Sequence, residues 1–225
     1  MLAQLRFKHP EVIWGGAPAS PPHTAQLPAK AGLSLGHNNA YGAFASMSGQ
    51  AGYYDFLALE NARFHDSAIV LFNTNLRFNK DKVWLQQLEV FNMSALNTHK
   101  NGLFDSNKLA WQISLAVKQH HLSCNDCLRT TMAGYMGKSY ELGEQVSAYV
   151  MPGMELDLNY SDDSVAQLQF GALYTSHPYW KSRLVIMPEI SLSGKHRQWQ
   201  YTWENRFGRS QSWDIRLEIR HDQTT

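Results

Sequence analysis

Ten histidines, two cysteines and scattered serines are the side chains able to do chemistry in this 225-residue chain. His65-Asp66, His99, His120-His121, His177 and His196 fall in predicted loops. None has a partner at the two- or four-residue spacing that would bring two ligands to one metal, so they read as surface histidines. His120 and His121 are adjacent, and on an extended chain such rings point apart. Cys124 and Cys127 form a CxxC within HHLSCNDCLR. A thioredoxin-like centre needs that pair at a helix N-terminus, whereas here it opens a strand from a polar loop; a local disulfide is the better expectation. Ser94, Ser114 and Ser147 offer hydroxyls, but no nucleophile motif surrounds them. Asp157 with Asp162-Asp163 has calcium-ligand chemistry, yet an acidic turn needs no ion. No catalytic residue, metal ligand or cofactor is expected.

The elements that must position these residues are strands. From residue 30 onward apolar side chains recur every second position, and no segment carries a helical stripe. The predicted strands are 30–38, 41–50, 67–78, 82–93, 108–119, 127–138, 144–159, 165–175, 181–193, 197–207 and 211–221. Parity slips between Leu85 and Leu88, which predicts a β-bulge near Gln86-Gln87. Pro152 and Pro188 lie inside strands, where each removes a ladder donor and implies a bulge, an edge or a shifted boundary. Short polar links predict antiparallel neighbours.

The last two strands are the clearest. Trp199, Tyr201, Trp203 and Phe207 oppose Gln198, Gln200, Thr202, Glu204 and Arg206; Trp213, Ile215, Leu217 and Ile219 oppose Asp214, Arg216, Glu218 and Arg220. Placing Arg206 opposite Asp214, with 209–211 as the loop, also sets Glu204 against Arg216, Gln200 against Arg220, and Trp203 against Leu217. That register pairs opposite charges on one face and apolar groups on the other. It also makes an aromatic pair of Phe207 and Trp213 near the turn.

Composition narrows the class. Net charge is +1, so no basic field exists to hold nucleic acid. Charged residues make up 17%, below the roughly 25% usual in soluble domains, and aromatics reach 12%. No apolar run approaches the roughly 20 residues of a spanning helix, but a membrane barrel needs none, since only alternate residues face lipid. Residues 1–16 lack the apolar core and cleavage site of a secretory signal. The chain therefore either stays in the cytoplasm or is a piece of a longer precursor. Residues 15–30 carry Pro18, Pro21, Pro22 and Pro28 and read as an extended linker. The expected organisation is a segment and Pro-rich linker over 1–30, then one β domain over 31–225.

Two architectures fit that domain. A soluble sandwich turns its apolar faces together and its charged faces to water. A lipid-facing barrel turns apolar side chains out and polar ones in. The polar faces here are rich in small and amide groups: Ala110, Ser114, Ala116, Thr131, Ala133, Gln167, Gln169 and Gly171. Such residues suit a confined wet lumen, and strands of this length suit a tilted membrane crossing. The expectation is an all-β, antiparallel, up-and-down transmembrane barrel of about twelve strands. Eleven strands and a polar last segment suggest that the chain is truncated. Glu189, Glu204, Arg206, Asp214, Arg216, Glu218 and Arg220 would line the interior as a neutralised ladder. Trp199, Tyr201, Trp203, Phe207 and Trp213 would face lipid.

The order of short motifs supports this class. Pro22-His23, GLSLG (32–36), SGQAGYYDFLAL (48–59), IVLFNTNLRF (69–78), VWLQQLEVFNMSAL (83–96), LAWQISLA (109–116) and CLRTTMAGYMGKSYELG (127–143) follow one another. Together they resemble the C-terminal β-barrel region of a Gram-negative envelope family of unknown function, whose full-length members carry an Lnb-type N-terminal periplasmic domain. The resemblance covers about residues 20–160. Where that family has an upstream Arg and a Tyr-His-Asp triplet, this chain has Gln50 and Tyr53-Tyr54-Asp55, so no role of that Arg or His carries over. The resemblance implies an outer-membrane location, with outer-membrane lipid and an upstream periplasmic domain as partners, and it implies no activity. The expected function is a non-enzymatic anchoring or transport domain. A soluble interaction or carbohydrate-binding module is one alternative, and an outer-membrane lipid hydrolase is a second.

Overall fold

A computed structural model of the chain describes residues 27–58, 67–98, 109–124, 126–143, 145–160, 164–177, 179–193, 197–208 and 212–224. Among the described residues it contains twelve strands and no helix. They are β1 (Lys30–Asn38), β2 (Gly42–Gln50), β3 (Gly52–Tyr54), β4 (Ser67–Phe78), β5 (Val83–Ala95), β6 (Leu109–Gln119), β7 (Leu128–Glu141), β8 (Val146–Asp157), β9 (Val165–His177), β10 (Trp180–Ser191), β11 (Arg197–Phe207) and β12 (Ile215–Thr224). All form one antiparallel sheet in the order β1-β2-β4-β5-β6-β7-β8-β9-β10-β11-β12, with β3 pairing β4 off that path. Apart from the step from β2 to β4, each strand on the path neighbours the next one in sequence, as the short polar links require. No pairing joins β1 to β12 among the described residues, so the hydrogen-bonded path is open.

Alternation decides which way the sheet faces. It curls around its polar face: buried residues of β4 and β6 to β9 meet in one cluster around Phe56. The small and amide residues singled out in the sequence point inward, with Ala110, Ala116, Thr131, Ala133, Gln167 and Gln169 all buried. Large apolar side chains point out. Leu33, Leu35, Met136, Trp199, Trp203 and Ile219 are all exposed, Leu33 and Leu35 at 86% and 89%. The inner face thus mixes buried polar side chains with an apolar cluster, and the outer face carries most of the exposed large apolar side chains.

Several irregularities have local causes. Asn75 pairs with Gln87 but Leu76 with Leu85, so Gln86 is the extra residue of a bulge, where the parity slip places it. A second shift falls between Glu89 and Phe91 against β6. Pro152 and Pro188 occupy interior strands without shifting register. The β7–β8 ladder lapses between Tyr135↔Gly153 and Lys138↔Val150, and the β9–β10 ladder lapses between Ile186↔Phe170 and Glu189↔Gln167. A missing donor is therefore absorbed by two unpaired positions in one ladder.

The β11–β12 register differs by two residues from the one that opposite charges favour. Arg206 stands across from Arg216, Glu204 from Glu218, Thr202 from Arg220, Gln200 from Asp222, and Trp203 from Ile219. A shift of two keeps every side chain on its face, so alternation cannot distinguish the two registers. The connection from Phe207 to Ile215 is longer than the three-residue loop assumed. It leaves Phe207 opposite Ile215 and stacked on Trp180, at 6.3 Å between centroids, rather than paired with Trp213.

Candidate functional site

The two ends of the curled sheet differ, and they are named here by the first and last residues of β1. At the Lys30 end, the segment after β3 turns into the interior. Asp55 Oδ1 accepts from Leu57 N at 3.0 Å, and Ala58 N donates to Asp55 O at 3.1 Å, which folds the segment into a tight turn. Phe56, Leu57 and Ala58 are buried at 6%, 2% and 0% exposure. Leu96 and Thr98, past the end of β5, are also buried, and Ser139 Oγ donates to Leu96 O. Phe56 belongs to one buried cluster with Ala68, Leu96, Ala110, Tyr135 and Tyr149, and the Arg183 guanidinium lies 5.0 Å from its ring centroid. An apolar plug therefore fills this end.

A charge cluster flanks the plug. Asp214 accepts from Arg206 Nε at 2.9 Å, from Arg216 Nε and Nη2 at 3.3 Å each, and from Lys30 Nζ at 3.2 Å. Arg216 also pairs with Asp55. Arg206 is wholly buried, and the Asp214 side chain is 3% exposed. One carboxylate thus serves two arginines that stand across from each other, and it ties β1 to the start of β12. Burial pushes the Asp214 carboxyl up, but Arg216, Lys30 and the hydrogen bond from Arg206 outweigh it, so the group lies below its ordinary value.

The Asn38 end is open and polar. A cavity of about 130 Å³ is lined there by Lys118, Arg129, Glu155, Asp157, Glu189 and Arg220, among others. The charges are mated: Lys118 to Glu155 at 2.6 Å and Arg129 to Asp157 at 3.1 Å. Glu189 Oε2 accepts from Gln167 at 2.8 Å and from Gln200 at 3.1 Å, and Tyr135 donates to Gln167. Arg220 pairs along its own strand with Glu218, while Glu204 pairs with Arg183 at 3.2 Å. All seven charges assigned to the interior lie on the inner face or at its rim. Glu218 and Arg220 stay 43% and 38% exposed because β12 is an edge strand.

Aromatic rings laid over glycines shape the interior between these ends. Tyr149 sits across from Gly171, Tyr135 from Gly153, and Phe44 from Gly36. A Cβ at Gly171 would fall within the Tyr149 ring, whose hydroxyl accepts from Arg183 Nη2 at 3.2 Å. Gly171→Val should destabilise the fold by about 1–3 kcal/mol through overpacking. Tyr149→Ala in the same chain should recover part of that loss, which a double-mutant cycle in urea would read. Equal losses with and without Tyr149 would place the cause elsewhere.

The groups suited to chemistry are dispersed. Ser94 is buried and faces Ala68 and Gln112, Ser114 faces Asn92 and Ala133, and Ser147 faces Leu173 and Glu141; none has a cross-strand histidine. His120 and His121 do not point apart, because residues 121–123 turn, and their rings lie 3.8 Å apart between centroids. Cys124 and Cys127 are joined by a disulfide, and His120 N donates to Cys127 O across that loop at 3.1 Å. Among the described residues no group of His, Cys, Asp or Glu could hold a metal ion. His65, His99, His196 and Asp162-Asp163 lie outside the described residues. Of the outer aromatics, Trp199, Trp203, Phe207 and Trp213 are exposed and Tyr201 is half-buried. Sequence reasoning missed Asp55 and the plug, for which the only signal was the apolar Phe56-Leu57-Ala58 inside a link.

Fold and interior together define an all-β antiparallel meander with several ion pairs on its inner face, large apolar side chains on its outer face and a buried apolar segment at one end. The chain belongs to the family described as Domain of unknown function (DUF7840), whose model matches residues 19–225. No curated protein and no solved structure matches it.

Proposed function

We propose that the domain is a non-enzymatic membrane β-barrel of about twelve strands, seated in an outer membrane and anchoring a periplasmic domain carried upstream. The observation that carries this is the inverted sheet: Arg206, Glu189 and Gln198 are buried, while Leu33, Leu35, Trp199 and Trp203 are bare. In water that arrangement would turn these large apolar side chains to solvent, which soluble monomers avoid over wide areas; in lipid it is the expected one. The outward tryptophans and tyrosines suit the interfacial belts of such a barrel. The motif order, similar to the barrel region of the Lnb-type envelope family, supports the same compartment and partner. A domain joined ahead of Lys30 would hang at the plugged end.

Anchoring is favoured over transport because the buried Phe56-Leu57-Ala58 segment occupies one end of the interior. Planar bilayers holding the protein should be electrically silent, and Phe56→Gly with Leu57→Gly should introduce conductance steps. Steady conductance of the unaltered protein would reverse the order of the two roles. A soluble interaction module is disfavoured by the inverted faces. A lipid hydrolase gains no support from Ser94, Ser114 or Ser147, none of which stands across from a histidine among the described residues.

Tryptophan quenching by brominated lipids tests the membrane placement. The protein reconstituted in vesicles should lose much of its emission when the bromines lie along the acyl chains. A folded monomer in detergent-free buffer, with unquenched emission on adding vesicles, would remove the reading.

A further inference from the structure

We propose that the cavity at the Asn38 end is a binding site for a small organic ammonium, an amino alcohol of ethanolamine's size, held by Glu189 and Asp222. The inference goes beyond the anchoring role and stands whether or not the sheet sits in lipid, because the cavity lies on the inner face. Its walls carry more negative than positive charge once the mated pairs are set aside. Lys118 is matched by Glu155, Arg129 by Asp157, and Arg220 by Glu218 on its own strand. Glu189 and Asp222 line the same cavity, and among the described residues neither is in an ion pair. Glu189 is 6% exposed, and its Oε2 accepts from two neutral amides, Gln167 and Gln200. Asp222 Oδ2 accepts from the Leu122 backbone N–H at 3.3 Å. Two carboxylates turned to one confined space without a cation of their own are stabilised by a bound ammonium.

A second, independent observation points to a ligand. Gln86 lines the cavity and is 7% exposed, yet its buried Oε1 has no hydrogen-bond partner. Gln119, which lines the cavity from the neighbouring strand, has a buried Nε2 that is likewise unmatched. The bulge in β5 creates this wall. Gln86 is its extra residue, so Gln86 and Gln87 both line the cavity although they are consecutive. Buried amide atoms without partners are costly, and they mark where a ligand's own polar groups belong. The Gln86 carbonyl suits an ammonium N–H, and the Gln119 amide suits a hydroxyl oxygen, so one molecule carrying both groups satisfies both. The size follows from the volume. A cavity of about 130 Å³ is slightly smaller than the roughly 150 Å³ that accommodates benzene, which sets a ligand of about four to six non-hydrogen atoms. An anionic ligand would meet Glu189 and Asp222 as like charges. The buried Phe56 segment occupies the other end of the interior, so this ligand enters and leaves by one mouth.

Isothermal titration calorimetry of the 225-residue chain in nanodiscs tests the site, with ethanolamine, ethylene glycol and glycolate as size-matched probes. Ethanolamine should bind saturably at a single site, and the neutral and anionic probes at least about tenfold more weakly. Glu189→Gln and Asp222→Asn should each weaken ethanolamine by about tenfold or more, the loss of one charge-assisted hydrogen bond. Glu141→Gln, at the far end of β7, should leave the affinity unchanged. Asp222 is half-buried on the edge strand, so Asp222→Asn decides the matter even where Glu189→Gln fails to fold. Four results would each overturn the proposal. Ethylene glycol binding as tightly as ethanolamine would mean that neutral solutes suffice for the unmatched amides. Glycolate binding tightest would mean that the cavity selects anions. Magnesium displacing ethanolamine at equal concentration would make it a metal site. Unchanged affinity in Asp222→Asn would place the ammonium elsewhere. Lipid quenching of the tryptophans reports the membrane reading separately, so either idea can fail while the other stands.

Discussion

If the domain sits in a membrane as proposed, Trp203→Arg is expected to lower folding stability in lipid by about 2–4 kcal/mol, the cost of a cation on a lipid-facing position near the middle of a strand. Trp203 lies near the middle of β11, between Leu184 of β10 and Ile219 of β12, and is 42% exposed. Its indole N–H donates to Ser182 Oγ at 3.0 Å. Trp203→Phe removes that bond while keeping an apolar ring, and should cost about 0.5–1.5 kcal/mol. The difference between the two variants isolates the charge. Gln200→Arg is the matched inner-face control. Gln200 already donates to Glu189 Oε2, so a guanidinium there gains a carboxylate partner and should change stability far less. Urea unfolding from lipid vesicles gives all three values. Trp203→Arg unfolding at the wild-type midpoint, or Gln200→Arg costing as much as Trp203→Arg, would show that the indole face does not meet hydrocarbon.

The separation of faces that this test exploits was legible in the sequence because period-two alternation is a local property. It sets strand boundaries, as in β4 (Ser67–Phe78) and β11 (Arg197–Phe207), which fall at the predicted residues. A slipped parity likewise marks the bulge at Gln86, because an extra residue must break alternation wherever it occurs. What alternation leaves undetermined is any displacement by two, and there the β11–β12 charges misled. Pairing Arg206 with Asp214 and Glu204 with Arg216 satisfies each charge once, across the ladder. The fold instead sets Arg206 beside Arg216 and brings Asp214 in from the connection to serve both, with Lys30 arriving from the far edge strand and Asp55 from the segment after β3. Partners more than 150 residues away leave no trace in local spacing. The plug escaped for a related reason. Phe56-Leu57-Ala58 is too short to carry a period, and only the curl of the sheet makes its position an interior one. β3 is three residues long and was lost in the same link.

That long-range cluster carries the second large effect. Asp214→Ala should cost about 3–5 kcal/mol, because it leaves the wholly buried Arg206 guanidinium without its carboxylate. Replacing both partners together, as Arg206→Met with Asp214→Leu, should be much milder, since an apolar pair of similar volume leaves no stranded charge there. The pH dependence follows from the direction in which the carboxyl is shifted. Asp214 in the folded protein lies below its ordinary value, so the unfolded chain takes up the proton first as acid is added. The stabilisation is therefore fully present above the unfolded value, about pH 4, and is lost as pH falls through the lower folded value. Denaturant midpoints of the reconstituted protein should accordingly fall steeply below about pH 4. Asp214→Asn should be less stable than wild type at neutral pH and should lose the part of the acid slope that this carboxyl supplies. A parallel fall of Asp214→Asn and wild type between pH 4 and pH 2 would mean that other carboxylates govern acid lability. If, in addition, Asp214→Ala were near neutral at pH 7, the tie between Lys30 of β1 and Arg206 and Arg216 of the last hairpin would not be what holds the two edges together.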